Sequence, residues 1–244
     1  MTAPAIETNG LTRRYGALTA VDHLNIRVEK GELFALLGVN GAGKTTTIRM
    51  LCCLTKPTEG DATLSGASIL REPMHVKEKI GVSPQETAVA ANLTAEENLR
   101  LMCGMHGLSR AETDEKVRAL SERFHLNEVL SRRAGKLSGG WQRRLSIAMA
   151  LVSDPEILFL DEPTLGLDVI ARSELWDVIR GMKGHATIIL TTHYMEEAEA
   201  LSDRVGVMKD GRLLALGTPG ALKAQTGQEK FEDAFIAIVR RASK

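Results

Sequence analysis

An α/β fold with a mostly parallel central sheet is predicted by three stretches of the chain. Leu33–Leu37, 156–161 and 187–190 are short, near-continuous apolar runs, the pattern of strands buried on both faces. The first ends in a glycine-rich turn that opens a helix, and the second ends in two acids. Between them lie start signals for several helices with no strand among them, so helices are inserted into an otherwise α/β pattern.

In chain order, 6–11 and 24–28 alternate apolar and polar residues, and Lys30-Gly31-Glu32 makes a turn. A half-exposed antiparallel sheet is the simplest account. Tyr15, beside Gly16, lies between these strands and by itself is a sheet-packing residue. The helix after the glycine turn covers 44–54, short strand and turn return over 60–70, and 77–82 leads to Ser83-Pro84-Gln85. Thr94-Ala95-Glu96-Glu97 and Ser109-Arg110-Ala111-Glu112 are both capping boxes. The second of these helices places Val117, Leu120 and Phe124 on one face. A further helix over 168–182 turns Leu175, Val178, Ile179 and Met182 inward, and Met195–Leu201 is helical. Stretches 204–208 and 212–216 flank Lys209-Asp210-Gly211 as a hairpin. In 229–241, Phe231, Phe235 and Ile238 form a helical stripe that either packs on the domain or faces a partner.

At 244 residues, 43% hydrophobic and 25% charged, the chain is long enough for one large domain or two small ones. Lys+Arg and Asp+Glu both number 31, so no net charge draws it to nucleic acid or anionic lipid. Cys52, Cys53 and Cys103 are odd in number and form neither a disulfide framework nor a zinc spacing. A reducing compartment follows. No basic-then-apolar leader pattern appears, and no apolar run approaches the roughly 20 residues of a membrane span, so a soluble cytosolic chain is expected.

The chemistry begins at Gly38-Val39-Asn40-Gly41-Ala42-Gly43-Lys44-Thr45-Thr46, whose spacing is G-x-x-x-x-G-K-T, a P-loop. A buried strand that ends in such a turn points several backbone N–H groups at one small volume, and the helix N-terminus adds partial positive charge there. Gly38, Gly41 and Gly43 permit positive φ and close backbone approach. Lys44 is a mobile charge for β- and γ-phosphates, and the Thr45 hydroxyl suits Mg²⁺. That motif alone leaves kinases, G proteins, helicases and transport ATPases open.

Leu137-Ser138-Gly139-Gly140, about twenty residues before Asp161-Glu162, narrows the choice, because this pairing resembles the ABC ATPase family. The resemblance runs from about residue 6 to 220. It implies a P-loop NTPase core with an N-terminal antiparallel β subdomain and an inserted helical subdomain. Within one domain over 1–244, the core covers 1–85 and 156–224, the signature-bearing helices 86–155, and a short helical tail 225–244. Gln85 looks like the Q-loop glutamine, Leu165-Gly166-Leu167-Asp168 like the D-loop, His193 like the switch histidine, and Tyr15 like the aromatic that stacks on adenine.

The resemblance implies ATP and Mg²⁺ as cofactors, with Asp161 placed like the acid that holds the metal and Gln85 and Thr45 beside it. Glu162 would polarise the attacking water with His193 and Gln85 around it, since splitting a γ-phosphate needs charge neutralisation and an oriented water more than covalent work. Ser138, Gly139 and Gly140 would meet the phosphate of a second copy, so one P-loop and one signature per chain imply a dimer with two ATP molecules at its interface. A separate integral-membrane permease is the other expected partner, nucleic acid is not, and the chain would sit on the cytoplasmic face of the membrane. Phe231-Glu232-Asp233-Ala234-Phe235 looks like the end segment of the branch that serves exporters. One departure stands out: Trp141 occupies the place where the family usually has glutamine, with Gln142 one position later. The rival readings are a soluble ABC ATPase of ribosomes or DNA, for which neither doubling nor heptads appear, and a small-molecule kinase, which gives no reason for the signature. Cargo is not legible here.

Overall fold

Residues 3–242 are described by a computed structural model. β1 (Ile6–Tyr15) turns back into β2 (Leu18–Leu24), and β3 (Arg27–Val28) precedes β4 (Leu33–Leu37). After α1 (Lys44–Leu51) come β5 (Glu59–Leu64), β6 (Ala67–Ser68), α2 (Pro73–Lys79) and β7 (Ile80–Ser83). α3 (Ala95–Met105), α4 (Arg110–Arg123) and α5 (Gly139–Ala150) then follow with no strand between them. β8 (Ile157–Asp161), α6 (Val169–Arg180), β9 (Thr187–Thr192) and α7 (Met195–Leu201) return to alternation. The hairpin of β10 (Arg204–Lys209) and β11 (Arg212–Gly217), α8 (Pro219–Thr226) and α9 (Phe231–Arg241) close the described chain.

Six strands form one sheet in the order β11-β10-β4-β9-β8-β7, parallel throughout except for the edge strand β11. β4, β8 and β9 are buried along their whole length. Their side chains alternate between two cores, as a strand's period of two requires. Leu33, Ala35, Leu158, Leu160 and Leu190 face a core shared with α3, α4 and α5, while Phe34, Leu36, Phe159 and Ile189 face one shared with the antiparallel sheet. That second sheet runs β2-β1-β5-β6, with β3 also pairing β1.

Both capping boxes form as expected. Glu97 N–H donates to Thr94 Oγ1 (3.1 Å) and Thr94 N–H to Glu97 Oε2 (2.7 Å); Ser109 and Glu112 repeat the exchange on α4. The stripe on α9 packs inward: Phe231, Phe235 and Ile238 are all buried in the core that α7 and α8 share. Each such side chain contributes roughly 1.5–3 kcal/mol, which stabilises an eleven-residue helix that would be marginal alone.

Three expectations need correction. The strand placed at 24–28 is displaced toward the N-terminus, because β1 and β2 pair through Tyr15 and Leu18 across a two-residue turn, leaving only Arg27–Val28 to pair afterwards. The stretch 77–82, read as an apolar strand leading to Gln85, is strand only from Ile80, and 77–79 end α2; this seven-residue helix starts on Pro73 and buries only Val76, so it shows no apolar stripe. α8 was not anticipated although its ends carry ordinary signals: Thr218 caps it, Pro219 opens it and Gly227 stops it at φ 70°.

Glu197 of α7 is fully buried, and Trp176 of α6 donates its indole N–H to Glu197 Oε1 at 3.0 Å. Its Oε2 makes no hydrogen bond, which a neutral acid tolerates far better than a carboxylate. Burial pushes this carboxyl up from its ordinary 4.5, against the opposing pull of Thr192, Thr164, Trp176 and Arg172. A group whose pKa is higher in the fold than in the unfolded chain contributes stability that is fully present below the unfolded value and lost as pH rises through the folded one. Glu197→Gln is therefore expected to give a shallower decline of the urea midpoint above about pH 4.5 than the parent chain. Parallel profiles would show that Glu197 is ionised in the fold.

Candidate functional site

The turn from β4 to α1 forms the floor of a cleft of about 620 Å³. Asn40, Gly41, Ala42, Gly43, Lys44, Thr45 and Thr46 line it, facing Tyr15, Leu18, Thr19 and Ala20 from the first hairpin. Gln85, Glu162, Leu165, His193 and Asp210 complete the wall. Gly43 caps α1 at φ 99°, and a Cβ there would collide with the Ala20 carbonyl, so glycine is required by both backbone angle and space. No side chain caps α1 and no acid sits in its first turn, which leaves its positive end to a bound anion.

Lys44 is 4% exposed. Its Nζ donates to the carbonyls of Gly38 (2.8 Å) and Val39 (3.3 Å) and lies 3.4 Å from Glu162 Oε1. The ammonium is thus held by the loop it serves and aimed across the cleft floor. Thr45 Oγ1 donates to Asp161 Oδ1 at 3.3 Å. Asp161 also accepts from the Thr191 hydroxyl, which sits opposite it in the β8–β9 register.

Glu162, one residue past β8, takes φ 48°, an uncommon value for a residue other than glycine. Its N–H donates to Thr191 Oγ1 (3.0 Å) and to the Thr191 carbonyl (3.1 Å), which fixes that turn. The carboxylate then lies between Lys44 and His193, with Oε2 at 3.0 Å from His193 Nδ1. Two acids adjacent in sequence are thereby pointed at different partners, since Asp161 faces Thr45 while Glu162 faces the open cleft.

Tyr15 is half exposed, with the Arg13 guanidinium 4.4 Å from one face of its ring. Gln85 is exposed at the mouth. Val39 is exposed too, while Gly38 and Val39 take part through their carbonyls rather than as walls.

Ser138, Gly139, Gly140 and Asp168 do not line the cleft. Ser138 and Gly139 are exposed at the start of α5, and Gly140 lies against Ala171. Asp168 caps α6, accepting from Ala171 N–H at 2.9 Å. Trp141 is half-buried against the core with the Arg144 guanidinium 4.9 Å from its ring, and Arg144 pairs with Glu174. Gln142 does not take the place of the expected glutamine: its amide donates to the carbonyls of Ala134 and Leu137, bracing the loop before α5.

Thr191 is the residue that sequence reasoning misses, together with the cleft-lining Leu18, Thr19, Ala20 and Asp210. A hydroxyl at the end of a buried strand, two residues before His193, is the available signal for Thr191.

The donor set suits Mg²⁺ bound with a phosphate chain. No group of three or more His, Cys, Asp and Glu suited to a metal occurs among the described residues. One threonine hydroxyl and one carboxylate, both hard oxygen donors, converge at 3.3 Å. Mg²⁺ takes few protein ligands and completes its octahedron with phosphate and water.

Thr191→Val keeps the strand's shape but removes the donor to Asp161 and the acceptor for Glu162 N–H. A loss of about 1–3 kcal/mol in urea unfolding is expected, with Thr191→Ser close to the parent. Equal stability in Thr191→Val would mean that the hydroxyl does not brace the two acids.

The ABC transporter family model matches residues 21–165. The chain is 41% identical over 241 residues to the probable multidrug ABC transporter ATP-binding protein YbhF of Escherichia coli (strain K12), covering 96% of this chain and 41% of that one. It is 43% identical over 224 residues to the daunorubicin/doxorubicin resistance ATP-binding protein DrrA of Streptomyces peucetius, covering 91% and 68%. Thus it spans less than half of the first relative's length. A dimeric structure of a post-hydrolysis state of an ATP-binding cassette, bound to ADP and Pi, superposes with a TM-score of 0.79 at 25% identity, over 87% of this chain and 98% of that one.

Proposed function

The chain belongs to the ABC transporter family of ATP-binding proteins, and we propose on that premise that it binds and hydrolyses ATP as a dimer that drives a separate membrane permease, on the export side of the family. The observation that carries this reading is the linked set Lys44–Glu162–His193 beside Thr45–Asp161, gathered at the glycine loop on the floor of the cleft. Tyr15 offers a ring face to the base, the loop amides and Lys44 take the phosphates, and Thr45, Asp161 and Gln85 would hold Mg²⁺. When bound, the metal supplies charge neutralisation at the phosphate oxygens. Glu162 orients a water and takes its proton as the water oxygen bonds the γ-phosphorus and the γ-phosphorus's bond to the bridging oxygen of departing ADP breaks, and His193 keeps the carboxylate aimed.

The placement of Ser138 supports a second copy as partner. Ser138 opens the twelve-residue helix α5 yet makes no side-chain cap, unlike Thr94, Ser109, Asp168 and Thr218 at their helices. Its hydroxyl and the Gly139 and Gly140 amides therefore remain for a phosphate that this chain's own cleft does not bring to them. In the dimer that phosphate belongs to the other subunit, with Asp168 alongside. The core of 1–85 with 156–224, the helices of 86–155 and the tail of 225–244 then act as cleft, sensor and brace. Among the described residues no helix is long and apolar enough to cross a membrane. The permease of this reading is a separate element, with this chain docked at its cytoplasmic side. The relatives named for multidrug and daunorubicin resistance favour export.

Glu162→Gln keeps the hydrogen-bonding shape and loses the base, so ATPase turnover should fall by roughly 10²–10⁴. ATP affinity should persist, and dimers should accumulate on size exclusion with ATP. Turnover near the parent rate would remove Glu162 from this role. Lys44→Ala, by contrast, should weaken nucleotide binding itself, because a charge-assisted contact in a nearly dry site is lost. Unchanged affinity by calorimetry would count against the phosphate cradle.

Mixing Ser138→Arg with Lys44→Ala tests the shared site directly. A mixed dimer has one site with both lesions and one with neither, so ATPase activity in the mixture should exceed that of either variant alone. A mixture no more active than its components, with mixed dimers verified by cross-linking, would leave Ser138 without its assigned phosphate or require both sites to fire together. A double variant confined to one subunit separates these two outcomes.

A further inference from the structure

Helix α5 is fastened to β7 and the segment that follows it along a continuous seam. Gly81 packs against the Ala150 carbonyl so closely that a Cβ would collide with it. The hydroxyls of Ser83 and Ser146 lie 3.0 Å apart, and Thr87 Oγ1 donates to Gln142 Oε1 at 3.4 Å. Between these contacts Arg143 reaches across from α5: Nη1 donates to the Pro84 carbonyl and Nη2 to the Gln85 carbonyl, each at 2.6 Å.

Arg143 is only 5% exposed and forms no ion pair among the described residues. A buried guanidinium without a carboxylate partner is costly to desolvate. Burial lowers its pKa, and the more distant Asp161 carboxylate opposes that shift. Two short charge-assisted bonds to consecutive carbonyls offset that cost, and a planar fork can make both at once where an ammonium cannot match the geometry. The residues so held are the two that deliver Gln85 into the cleft. The same helix begins at Ser138-Gly139-Gly140, one turn before Arg143.

We propose that Arg143 is a positioning residue for Gln85: it ties Pro84 and Gln85 to α5, so that engagement of Ser138-Gly139-Gly140 by the partner's nucleotide sets where Gln85 stands in this chain's own cleft. The inference rests on the dimeric ATPase reading above. Arg143 touches no nucleotide and acts only through the Gln85 backbone. Each α5 is thereby a lever between two sites, with its first turn at one and its second turn gripping the other.

The test compares Arg143→Met, Arg143→Lys, Gln85→Ala and the Arg143/Gln85 double variants in the full chain. Arg143→Met should lower kcat about tenfold or more while ATP affinity by calorimetry stays within about twofold, the pattern of lost organisation in the transition state rather than lost binding. Arg143→Lys should recover part of that rate. In the Gln85→Ala background, Arg143→Met should cost no more than about a further twofold, because the effect travels through Gln85. Hydrogen–deuterium exchange over residues 83–90 without nucleotide should be faster in Arg143→Met and intermediate in Arg143→Lys.

Equal losses from Arg143→Met with and without Gln85, or a parent-like kcat and exchange pattern in Arg143→Lys, would overturn the assignment. So would a fall in ATP affinity that matches the fall in rate. If Arg143→Met does not fold, Arg143→Lys, which keeps the buried charge, carries the same comparisons. A parent chain that neither binds nor hydrolyses ATP would defeat the ATPase reading, whereas the exchange measurement would still report on whether Arg143 holds this segment.

Discussion

Two carboxylates buried side by side at the end of β8 are the constraint that the cleft is built to satisfy. Asp161 and Glu162 are each under one-tenth exposed, and neither would remain there without donors. The neighbouring strand supplies one of them: the register of β8 against β9 sets Thr191 opposite Asp161, whose carboxylate accepts from its hydroxyl, while the same threonine's Oγ1 and carbonyl accept from the Glu162 N–H. Its bonds to the Glu162 N–H support the positive φ that swings the second carboxylate away from the first and toward Lys44 and His193. The strained turn is therefore a means of giving neighbouring acids different roles.

Everything else in the cleft depends on the parallel order of the central sheet. β4, β8 and β9 all run the same way, so their carboxyl ends meet at one edge, and the loops that follow them hold Lys44, Glu162 and His193 within a few ångströms. This is the edge at which open α/β sheets gather ligands. The antiparallel sheet contributes the opposite wall. Its first hairpin brings Tyr15 and Ala20 against the glycine loop, and the Ala20 carbonyl is what excludes a side chain at Gly43.

The helices of 95–150 add a second connection to that edge. They share one core with the sheet, through residues such as Leu99, Phe124 and Leu145, so they are anchored rather than appended. Arg143 then joins α5 to the backbone at Gln85. A rigid helix with one end exposed and the next turn gripping the cleft transmits displacement well, because close-packed interiors deform little.

By itself the sequence determined the glycine cradle, the adjacent acids, the signature before α5, both capping boxes and the buried strands. Each of these is written in local spacing, where a glycine, a cap or an apolar run has the same physical meaning wherever the chain goes. It was less informative at β2, α2 and α8, which are short or sparsely buried and leave little periodicity. Only the tertiary structure decided that Thr191 braces Asp161 and Glu162, that Ala20 closes on Gly43, and that the two arginines after Gln142 part company, Arg144 to Glu174 at the edge and Arg143 inward to the carbonyls of Pro84 and Gln85. Those contacts join residues about 20 to 60 positions apart. The hydroxyls and carbonyls that make them carry no pattern along the chain, so their roles exist only once strand register and helix packing have set them face to face.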